Sequence, residues 1–150
     1  MPIALLLHLL AATLWVGGMF FALWIVRPAA LSLELPARVG LWSRILTRFM
    51  TVVWVCVLLL PLTGYWMIFQ GFGGMANVAP HIHIMEGTGW TMIAIFGVIF
   101  FRDFRAMRRM EKECLFPEAG LYIERLRKRV LINLILGLIT IAVAGAGRYW

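Results

Sequence analysis

His8-Leu-Leu-Ala-Ala-Thr13-Leu-Trp15-Val-Gly-Gly-Met19-Phe-Phe-Ala-Leu-Trp-Ile-Val-Arg27 carries no acidic or basic residue between its histidine and its arginine. Half a chain later the pattern returns: His83, Thr88, Trp90 and Arg102 stand at the same spacings. Each copy opens an apolar run with a histidine and closes it with an arginine about 28 Å away along a helix, close to the thickness of a bilayer core. Two such runs imply membrane helices, and two histidines at one depth imply a site.

The rest of the chain agrees. It has 150 residues, 63% hydrophobic and 14% charged, with mean hydropathy +0.90. A soluble domain is about 25% charged. Four stretches are long enough to span: approximately 3–26, 49–69, 82–101 and 130–147. In hydrocarbon the backbone must satisfy its own hydrogen bonds, so all four are expected to be helices. The fold class is therefore all-α: a polytopic, antiparallel four-helix transmembrane bundle forming one domain over 1–150. The first run has no basic segment before it and is expected to be a retained helix, not a signal peptide. Pro61 should kink the second helix.

Charge orients the bundle. Arg27 to Arg48 carries four Arg and one Glu, Arg102 to Arg129 nine Lys or Arg and five acids, and Gln70 to Pro80 none. The positive-inside rule puts both basic segments in the cytoplasm of a bacterial-type inner membrane and both termini outside. The net charge of +7 is thus topology, not a nucleic-acid signal. Arg38 to Arg48 is expected to extend the second helix inward. Arg102 to Cys114 should extend the third until Pro117 breaks it, giving a cytoplasmic helical hairpin. Cys56 and Cys114 fall at different depths and are expected to stay unpaired.

Small and polar residues line helix contacts in lipid. They mark an inward stripe through His8, Trp15 and Met19 on helix one, through His83, Glu86 and Trp90 on helix three, and through Asn133, Gly137 and Thr140 on helix four. Asn133 and Thr140 are expected to bond between helices. Helices one and three are diagonal partners in an up-down bundle. The preferred expectation is a b haem held axially by His8 and His83. Trp15 and Trp90 would wall it and Arg148 would meet a propionate. The protein would then serve electron transfer, as a haem-dependent membrane oxidoreductase with a membrane quinone or a redox protein as partner. The alternative is a Cu(I) site of His8, His83 and methionines, with Met19, Met85 and His81 as alternates. A third reading is an accessory subunit without catalysis. Glu86, one turn from His83, is a proton carrier or an orienting partner of that histidine. Small-residue stripes also suit a homo-oligomer.

The run from His8 to Phe20 with Arg27-Pro28, and the run from His83 to Trp90 with Phe100-Phe101-Arg102, resemble the copper-resistance D (CopD) membrane family over most of the chain. The first span and the Arg48 region are more distantly similar to HemJ, a haem-associated protoporphyrinogen oxidase. The first resemblance implies copper uptake or tolerance. The second implies a b haem on membrane histidines, with His8 and His83 as the corresponding residues. Glu86 stands where the HemJ pattern has a lysine after the third-span histidine.

Overall fold

A computed structural model describes residues 2–149, the side chain of Arg148 apart. It contains four helices long and apolar enough to cross a membrane: α1 (Pro2–Ala30), α2 (Leu35–Gly71), α3 (Pro80–Lys112) and α4 (Phe116–Ala146). Among the described residues there is no strand. The protein is a helical, multi-pass membrane bundle.

Proline and glycine set the element ends. Pro36, Pro80 and Pro117 each stand in a first helical turn, where a missing N–H costs nothing. Pro117 therefore starts α4 and does not break α3. The break lies just before it, at Cys114, whose φ is +57°. Arg38 to Arg48 does extend α2, and α3 continues beyond Arg102, so the hairpin expected at the arginine-rich end is present. Pro61 is carried inside the continuous α2. Two residues on, the Thr63 hydroxyl donates to the carbonyls of Leu59 (2.6 Å) and Leu60 (3.3 Å).

Two stretches widen into π-helix. Ala22–Val26 lies just before Pro28. That proline cannot donate to the carbonyl one turn back, and the Arg27 N–H reaches back to Ala22 instead. Ile99–Phe104 widens α3 in the corresponding region. Each added residue turns the faces beyond it by about 100°, and Asp103 ends up wholly buried. Its carboxylate pairs with Arg129 of α4.

α1 packs on α2 and α3 on α4, while α4 also touches both α1 and α2. Gly137 of α4 makes this possible. A Cβ there would come within 2.8 Å of Val16 on α1 and 3.1 Å of Met92 on α3. The core includes Trp15, Met19, Met50, Met92, Phe96 and Leu134. Trp54 of α2 meets Phe96 and Phe100 edge-on at 5.2 and 5.4 Å. On α3 the buried residues of the spanning segment are thus Met92, Phe96 and Ile99, not the stripe through Trp90, which is half exposed. Bulky aromatic packing, not small-residue contact, chose the inward face of this helix. Leu5, Leu14, Leu58, Leu62 and Leu138 stay exposed, as lipid-facing positions of a membrane bundle do.

Candidate metal site

The histidine-bearing end joins α2 to α3. Tyr65 Oη donates to Glu86 Oε1 at 2.5 Å, and Trp90 Nε1 donates to Tyr65 Oη at 3.1 Å. His83 Nδ1 stands 3.9 Å from Glu86 Oε2, one helical turn away. The carboxylate is mostly buried and the imidazole half exposed. One oxygen of Glu86 is thus held by a phenol of the neighbouring helix, and the other faces an imidazole. Among the described residues no group of three or more His, Cys, Asp or Glu converges. The pair is two donors beside a phenol, with its remaining side open.

The other candidates are elsewhere. His8 Nδ1 is 2.8 Å from Thr63 Oγ1, and its ring lies against Gly64 of α2. His81 packs its ring on the backbone of Gly147. Met19 is fully buried in the core and Met85 partly buried. Trp15 is buried edge-on against Phe96, ring centroids 6.1 Å apart. Cys56 and Cys114 are both free. The expectation for Arg148 lies outside the described residues.

A haem held axially by two histidines needs both imidazoles aimed at one axis. Here His8 turns to α2 and His83 to Glu86 of its own helix. Between α1 and α3, α4 inserts Gly137 against both. The b haem expected between His8 and His83, with Trp15 and Trp90 as walls, finds no support in this arrangement. Asn133, expected to bond across helices, leaves its Oδ1 buried without a partner. Thr140 does bond across, to Thr88 at 2.7 Å.

Sequence reasoning singled out His83, Glu86 and Trp90 but missed Tyr65. It also missed Asp103 and Arg129. Only the tertiary fold brings these residues to their partners.

Four long apolar helices define a multi-pass membrane protein, with His83 and Glu86 facing each other at one end. Residues 43–146 match the family model described as Copper resistance protein D (CopD). That is more than half of the chain, and the chain belongs to this family. No curated protein and no solved structure matches it. The matched segment contains Tyr65, His81, His83 and Glu86 and begins after His8.

Proposed function

We propose that this protein handles copper at its histidine-bearing end, in copper uptake or tolerance, with copper as cargo. His83 and Glu86 are the ligands. Tyr65 holds the carboxylate in place through one oxygen and leaves the other free for the metal. His81 and Met85, on the same first turns of α3, are the nearest further donors in sequence. The observation that carries this reading is the His83–Glu86–Tyr65 cluster lying within the segment that matches the copper family. Imidazole with carboxylate suits Cu(II), and a methionine thioether would extend the site to Cu(I). The arginine-rich segments face the cytoplasm under the positive-inside rule, so the site opens to the periplasm or exterior.

The test is copper retention. Protein purified in detergent is loaded with Cu(II), or with Cu(I) under reductant, freed of excess metal and assayed by elemental analysis. Retention that is lost in His83→Ala is the expected result. A wild-type protein that keeps no copper under either loading sinks the proposal. A visible spectrum of the same sample, reduced with dithionite, decides the haem alternative: a sharp α band would put it back in first place.

A further inference from the structure

A second feature lies at the opposite end of the bundle. A cavity of about 320 Å³ runs between α1, α2 and α4, within the range of small-ligand sites. Its lining on α4 extends from Pro117 to Asn133, roughly 24 Å of helix at 1.5 Å per residue. Apolar side chains line most of that length, so the cavity is an elongated apolar channel that suits an extended chain.

The two ends differ from the middle. Leu46, Met50, Val53 and Leu126 give an apolar wall, whereas Arg27, Arg38, Arg127 and Glu124 stand at the mouth. Glu124 is shared by Arg127 at 2.8 Å and Arg27 at 3.8 Å. Arg38 has no carboxylate partner among the described residues. One of its Nη groups donates to the Leu33 carbonyl at 3.2 Å, and its Nε is buried with no acceptor. At the deep end stands Asn133, 1% exposed. A buried N–H without an acceptor, as at Arg38, is rare in a closed core. Three guanidinium groups against one carboxylate repel a metal cation, so this channel is not a route for copper. They attract an anion, and the buried Arg38 N–H demands an oxygen acceptor.

We propose that this cavity is a binding site for an anionic phospholipid of the surrounding leaflet. One acyl chain lies in the channel, and the phosphate is held at the mouth by Arg38, with Arg27 and Arg127 beside it. The site is independent of the copper reading, since it uses no residue of the His83 cluster.

The full chain, purified in detergent, is titrated with dioleoyl phosphatidylglycerol, dioleoyl phosphatidylcholine or oleate, and bound lipid is counted by native mass spectrometry. Phosphatidylglycerol should bind tightest. Arg38→Gln should weaken it roughly tenfold or more, as loss of a charge-assisted hydrogen bond does. Arg44→Gln, which removes an exposed charge outside the cavity, should leave it unchanged. Ala22→Leu, which narrows the channel and keeps every arginine, should exclude the lipid. It also decides the matter if Arg38→Gln fails to fold. Equal binding of the two phospholipids, equal effects of Arg38→Gln and Arg44→Gln, or unimpaired binding by Ala22→Leu would each overturn the proposal. Tighter binding of oleate than of phosphatidylglycerol would overturn the choice of a phospholipid as the source of the chain.

Discussion

Glu86 is the residue on which the copper proposal turns. A carboxylate at the end of a membrane helix is costly to bury and marks a site by default. Here one of its oxygens is already engaged by Tyr65. Removing the phenol should loosen the carboxylate without removing a ligand. Tyr65→Phe is therefore expected to lower copper affinity by about 10- to 100-fold, as loss of an orienting partner typically does, while His83→Ala abolishes retention. Competition with a chelator of known affinity would separate the two. A Tyr65→Phe protein that binds copper as tightly as wild type would take Tyr65 out of the site. His83 and Glu86 could be found in the sequence because they are neighbours on one helix, three residues apart. Tyr65 could not, because its partner lies on another helix and nothing in a linear pattern gives the rotation of one helix against the next.

At the scale of the element, the helices follow from hydropathy, and their ends from proline and from the charge blocks. Their inward faces do not. On α1 the expected stripe through His8, Trp15 and Met19 does face inward, with Trp15 and Met19 buried and His8 partly so. On α3 the stripe of small residues was the wrong marker, because Trp15 and Trp54 both reach Phe96. Asp103 is a second case. It reads as one acid in a charged segment, yet the π-helical turn carries it into the bundle against Arg129. Removing one partner of a buried pair leaves a charge without compensation, at a cost of about 3–5 kcal/mol. Asp103→Ala should lose about that much stability in a denaturant titration of the detergent-solubilised protein. A loss under about 1 kcal/mol would mean that the pair behaves as a solvated one. Gly137 makes a similar demand of space. Gly137→Val must displace Val16 or Met92 and should cost about 1–3 kcal/mol by overpacking. An unchanged denaturation midpoint would show that α4 shifts freely.

For the whole molecule, orientation is the property that two native cysteines can test. Cys114 is exposed in the turn between α3 and α4, and Cys56 is buried in α2. With the arginine-rich end in the cytoplasm, a membrane-impermeant maleimide should label Cys114 in inverted vesicles and leave intact spheroplasts unlabelled. Labelling only in spheroplasts would reverse the orientation and place the copper site and the lipid channel on the other sides. The opposed chemistry of the two ends is the reason this matters. One end carries a carboxylate beside an imidazole. The other carries three arginines around one carboxylate.

The sequence by itself determined that this is a helical membrane protein with four long apolar helices, and that one end carries histidines and the other arginines. These are properties of composition along a line, and transfer to hydrocarbon enforces them residue by residue. Only the tertiary structure decided which side chains meet. It turned His8 to Thr63 and not toward His83, set Tyr65 on Glu86, buried Asp103 against Arg129 and left Arg38 facing a channel. Those pairings depend on how each helix is rotated about its axis. That rotation is set by the packing of large side chains such as Trp15, Trp54 and Phe96 around Gly137, a balance no single segment contains.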